Sequence, residues 1–82
     1  MYQTIGEEIQ VAGLFKKGQF WPSKFKWSGQ TFNIQKITLT AEANNGGVKL
    51  RYYSVLASGN LYRLQYNRQF ETWRLMEIWC EG

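Results

Sequence analysis

Along the chain, apolar and polar residues alternate in short runs, and residues that favour turns separate the runs. Ile9 and Val11 alternate with polar neighbours, which predicts a first strand over 8–15 before Lys16-Lys17-Gly18 turns the chain. Pro22 opens the next element. Phe25 and Trp27 alternate there with Lys24 and Lys26, and Ser28-Gly29 supplies a tight hairpin because glycine tolerates positive φ. A third strand is predicted over 30–43, although the parity of its apolar residues changes from even (Phe32, Ile34) to odd (Ile37, Leu39). A bulge near Gln35-Lys36 reconciles the two halves and bends the strand. Asn44-Asn45-Gly46-Gly47 is the strongest turn signal. Strands four and five follow over 48–57 and 61–66, joined through Ser58-Gly59-Asn60, with 67–71 as the next loop. In the last segment, 72–80, Trp73, Met76 and Trp79 also recur at helical spacing. The β preference of tryptophan and isoleucine, and the need to cover a sheet edge, favour a strand.

These elements predict an all-β fold: one domain over 1–82, with 1–7 loosely ordered, built as an antiparallel five- or six-stranded sheet. Parity change and bulge point to a curled sheet or partly open barrel of SH3-like or OB-like size. A chain of 82 residues buries only about 60% of its unfolded surface, so large side chains must fill the core. Five Phe, five Tyr and four Trp supply that bulk.

Composition removes most catalytic chemistry. No histidine or aspartate is present, which leaves no triad, no His pair for a metal and no Asp-rich cation loop. The glutamates Glu7, Glu8, Glu42, Glu71, Glu77 and Glu81 read as surface charges, and Cys80 reads as a half-buried structural thiol that cannot form an internal disulfide. Gly46-Gly47 lacks the Lys-Ser/Thr of a phosphate loop. The expectation is therefore a binding module with no cofactor and no enzymatic role. The lone cysteine, the absence of a long apolar run and an N-terminus without signal-peptide character suggest a cytoplasmic protein that makes no use of a membrane.

Net charge of +4 biases the chain toward polyanions. If Phe25 and Trp27 point inward, Lys24 and Lys26 point out; if Leu50 and Tyr52 point inward, Lys49, Arg51 and Tyr53 point out. The same alternation turns Arg63 outward opposite Tyr62 and Leu64, and Arg74 outward opposite Trp73 and Leu75. Were these strands neighbours, the cations would line one face, with Tyr53 as a stacking platform. Phe20-Trp21, in a predicted loop before Pro22, adds a candidate pair of exposed contact rings. Cations that track phosphates and rings that stack on bases are the general device of single-strand DNA or RNA binding. Outward lysines and arginines are also the ordinary solvent face of a half-buried sheet. The alternative reading is a protein-interaction or homodimerisation module that docks through an edge strand or the Phe20-Trp21 loop.

The spacing of Glu8-Ile9-Gln10-Val11, Pro22, Phe25, Trp27, Gly29, Phe32, Ile34 and Ile37, followed by Arg51, Tyr52, Val55, Gly59, Tyr62, Leu64, Trp73, Leu75, Ile78 and Trp79, resembles a family of small bacterial β domains. Members of that family occur alone or appended to proteins such as Y-family DNA polymerase relatives, and no biochemical role is assigned to the family. The resemblance implies a shared β fold and adds weight to a nucleic-acid association; it carries no site residue. Two positions depart from the pattern: residues 41–47 stand where a tryptophan is expected, and no acidic residue lies near Asn67.

Overall fold

The computed structural model describes residues 1–80, and every element in it is a β-strand. Among the described residues, no helix is long and apolar enough to cross a membrane. The strands are β1 (Tyr2–Lys16), β2 (Gln19–Trp27), β3 (Gln30–Asn33), β4 (Lys36–Asn45), β5 (Val48–Ala57), β6 (Asn60–Asn67) and β7 (Thr72–Trp79). They form one antiparallel sheet in the order β3-β2-β1-β7-β6-β5-β4. Two meanders thus meet along a seam between the first and last strands, where Tyr2 faces Trp79 and Ile9 faces Trp73.

Four two-residue turns make the hairpins, at Lys17-Gly18, Ser28-Gly29, Gly46-Gly47 and Ser58-Gly59, with positive φ at both positions of each. That is the backbone of a type I′ turn, whose twist matches the strands it joins. The exception is the β6–β7 connection, where the Asn67 side-chain oxygen accepts from the backbone N–H groups of Gln69 (2.9 Å) and Phe70 (3.1 Å) and so fixes the turn.

The strand count is seven, against the predicted five or six. The predicted third strand is two strands. At Ile34-Gln35 the chain leaves one edge of the sheet and enters the other, with Ile34 N–H donating to the Ser23 carbonyl (2.9 Å) and Gln35 N–H to that of Leu56 (2.8 Å). The parity change therefore marks a corner, while the bulge itself lies farther on, between Ile37 and Leu39. Register also shifts between Thr4 and Glu7, at Ala12/Gly13 opposite Ser23, and between Arg63 and Leu64 opposite Met76. The extra residue at Met76 explains why Trp73 and Leu75 fall out of step with Ile78. β1 begins at Tyr2, not Glu8, so the segment 1–7, expected to be loosely ordered, is paired along β7.

These bends curl the sheet over itself without closing its hydrogen-bonded ring. Rings from strands that are not neighbours meet inside: Phe25 with Tyr62 (5.1 Å between centroids) and Phe32 with Tyr62 (5.4 Å). The core they join comprises Ile9, Phe25, Tyr53, Val55, Ala57, Tyr62, Leu64, Leu75 and Ile78. Trp27 and Trp73 pack against it, and Trp27 donates its indole N–H to the Glu7 carboxylate (3.1 Å). Cys80 is half-buried against the same core, and Glu81 lies outside the described residues.

β5 corrects the predicted facing. Tyr53 is 1% exposed and shares the inner face with Val55 and Ala57, so Arg51 points to that side as well. Leu50 and Tyr52 occupy the other face; Leu50 is buried but stands apart from the core cluster. Apolar residues occur on both parities of this strand, and the set that packs against Tyr62, Leu64 and Ile37 turns inward.

Candidate functional site

Of the cations predicted to share the outer face, Lys24, Lys26, Arg63 and Arg74 do alternate outward from Phe25, Tyr62, Leu64 and Leu75, but they are spread over β2, β6 and β7. Arg51 and Lys49 turn to the side of Tyr53. Lys24 and Lys26 are exposed on β2, but β1 separates them from the strands that carry the others. Arg74, on β7, donates to the Gly6 carbonyl of β1. Arg63, on β6, stacks over the Tyr52 ring (4.6 Å to the centroid) and sits 3.8 Å from the Glu77 carboxylate. Lys49 is exposed at the start of β5. Tyr53 cannot serve as an exposed platform, because it is core.

The predicted Phe20-Trp21 loop is part of β2. Successive residues of a strand point to opposite faces, which resolves the crowding of two adjacent rings. Phe20 turns inward and is half-buried, whereas Trp21 is exposed opposite Leu14 and donates its indole N–H to the Lys16 carbonyl (3.3 Å).

Another grouping appears at the end of the curled sheet where the β1–β2 hairpin, the β4–β5 hairpin and the β6–β7 turn converge. There Phe15, Phe20, Arg51, Tyr53, Tyr66, Arg68 and Glu71 line a concavity of about 280 Å³. The volume lies just below the usual range of ligand pockets, roughly 300–1,000 Å³, and suits one ring or one phosphate better than a dinucleotide. Its wall is a continuous run of rings. Phe15, 80% exposed at the rim, meets Phe20 edge-on at 5.5 Å; Phe20 meets Trp73 at 5.6 Å; Trp73 meets Tyr53 at 5.5 Å and Tyr66 at 4.8 Å. The Tyr53 hydroxyl donates to the Phe20 carbonyl (2.8 Å), which ties β5 to β2 beneath the opening.

Backbone pairing sets the charges of this mouth. Arg51 faces Glu42 across the β4–β5 ladder, and its Nε and Nη2 both donate to Glu42 Oε1. Arg68 is drawn alongside because its own N–H donates to the Lys49 carbonyl (3.0 Å). The hydrogen bond from Arg51 and its charge, helped by Arg68 and Lys49, hold the Glu42 carboxyl below its ordinary value of 4.5. The same bond to Glu42, helped by the nearby Tyr53 hydroxyl, raises Arg51 above its ordinary value. Arg51, Arg68 and Lys49 thus surround the Glu42 carboxylate, and Glu71 adds a second carboxylate to the lining of the mouth.

Of the predicted contact residues, the structure therefore gathers Arg51, Lys49 and Phe20 at one end and leaves Lys24, Lys26, Arg63 and Arg74 elsewhere. Arg68, Phe15 and Tyr66 were not singled out by alternation. A sequence signal exists for part of this set: the ring of Phe15 directly precedes Lys16-Lys17, and Arg68 falls in the segment 67–71 read as a loop. Among the described residues, no group of three or more carboxylates or thiols capable of holding a metal ion occurs. No protein-family model, no curated protein and no solved structure matches the chain.

Proposed function

We propose that this chain is a small accessory module that binds single-stranded nucleic acid at the mouth formed by Arg51, Arg68, Lys49 and the ring run from Phe15 to Tyr66. The single observation that carries the reading is that two arginines and four aromatic side chains line the same concavity. Guanidinium groups offer paired donors to phosphate oxygens, and a rim ring such as Phe15 offers a face on which any base can stack. A duplex keeps its bases stacked inside and would forgo the second contact, so a single strand is the better fit. The partner class is DNA or RNA without strong sequence preference. Resemblance to domains appended to Y-family polymerase relatives supports the same direction.

The test is a titration of intrinsic tryptophan fluorescence with oligothymidylate and oligouridylate at several salt concentrations. With three phosphates neutralised, log affinity should fall with log salt at a slope of about −2. A flat response to both oligomers at low salt rejects the proposal.

A further inference from the structure

The convex side of the sheet carries an apolar row where solvent-facing polar residues are expected. Register places Leu56 of β5 beside Leu61 of β6, Leu61 beside Trp79 of β7, and Trp79 beside Tyr2 of β1. Leu61 is 37% exposed, Trp79 47% and Tyr2 57%, and the Tyr2 and Trp79 rings lie 6.2 Å apart. One step along the same strands, on the same face, runs a second row in which Arg63 faces Glu77, with the exposed Leu39 at its β4 end. Tryptophan, tyrosine and arginine in a contiguous patch are the residues that dominate protein interfaces.

We infer that this face is the contact between two copies of the chain, related by a two-fold axis. The charges identify the occupant. A two-fold interface must be complementary to itself. This patch holds one cation and one anion side by side, 3.8 Å apart, with Ser54 and Thr4 flanking the pair in its row and the Leu61–Trp79 row alongside. Rotating a second copy onto it brings Arg63 of each chain toward Glu77 of the other and rings against aliphatic side chains. The rest of the surface argues the other way: a chain of net charge +4 repels its own copy at the cationic mouth, whereas the Arg63–Glu77 pair within this face is balanced and the one further cation, Lys36 opposite Leu56, stands at its β4 edge. The inference is independent of ligand binding at the mouth, which lies at the end of the sheet and stays open in such a dimer.

Sedimentation equilibrium from micromolar to millimolar protein should show reversible dimer formation. Leu61→Arg, at an exposed position, should weaken association about tenfold or more while far-UV circular dichroism and the melting temperature stay near those of the parent. Charge reversal supplies a readout that a merely structural role would not move. Arg63→Glu gives a patch with two carboxylates and Glu77→Arg one with two cations, so each variant alone should be monomeric, and an equimolar mixture should form the heterodimer. Monomer at every concentration overturns the inference and leaves the patch to a different protein. Association that survives Leu61→Arg, or a mixture no better than its components, overturns it too.

Discussion

The Tyr53 hydroxyl reaches from β5 to the Phe20 carbonyl of β2 at 2.8 Å, between strands that three others separate in the sheet. It holds two distant strands at one spacing just below the mouth, and it satisfies a carbonyl on a stretch of β2 that β3, only four residues long, does not reach. Tyr53→Phe keeps the buried ring but strands that carbonyl. Urea unfolding should show a loss of about 1–2 kcal/mol in stability with an unchanged m-value.

The pairing of Glu42 with Arg51 makes stability depend on pH in a defined direction. The folded-state pKa of Glu42 is depressed, so the native chain favours the ionised form more than the unfolded chain does. Its contribution is present above the unfolded value of about 4.5 and is lost as pH falls through the lower folded value. Comparing thermal melts of Glu42→Gln and the parent across that window should show two curves that converge in acid and separate toward neutrality. Parallel curves would mean the pair has no such linkage.

Gly13 occupies a bulged register where β1 crosses β2 closely. A Cβ placed there would sit 2.2 Å from the Trp21 carbonyl oxygen and 2.8 Å from Pro22 Cα, both backbone atoms. Since backbone cannot swing aside as a flexible side chain does, Gly13→Ala should destabilise by about 1–3 kcal/mol, read from the denaturation midpoint. It should also disturb the Phe15–Phe20 rim.

Ser28 holds the first central position of a type I′ turn with φ of 53°, a conformation that asparagine adopts more readily than serine. Ser28→Asn should raise stability by about 0.5 kcal/mol, visible as a higher melting temperature.

At the mouth, Arg68→Glu should weaken oligonucleotide binding and reduce the salt slope by about 0.7, the share of one phosphate contact on a single strand. Lys26→Glu, on the far part of β2, should leave both affinity and slope unchanged. Equal effects of the two substitutions would point to diffuse charge and remove the mouth's claim.

Much of the sheet could be read from residue order, because hairpins are local. Ser28-Gly29 and Ser58-Gly59 announce their turns, and Phe25, Tyr62, Leu64 and Leu75 announce their facing. What could not be read is where long-range packing decides. Leu50, Tyr52 and Leu56 compete with Tyr53, Val55 and Ala57 for the inside of β5, and alternation is satisfied by either set. The contact with Tyr62 and Leu64 chooses, and with it Arg51 changes sides. Phe20 and Trp21 look too crowded to bury only while they are read as a loop; on a strand they point to opposite faces, and Phe20 finds Trp73, 53 residues on, to pack against. The mouth was illegible for the same reason: its arginines and rings come from three hairpins whose meeting depends on the curl of the sheet.

That curl has a seam whose two halves are synthesised at opposite times. β1, an interior strand of the sheet, has β7 as one of its two neighbours, and the Met1 ammonium and the Cys80 carbonyl meet at its far end. On the ribosome, the β1–β2–β3 unit must therefore wait with one flank bare until β7 has emerged, and the core closes only when that last strand docks, with Ile9 and Phe25 unshielded by it in the meantime.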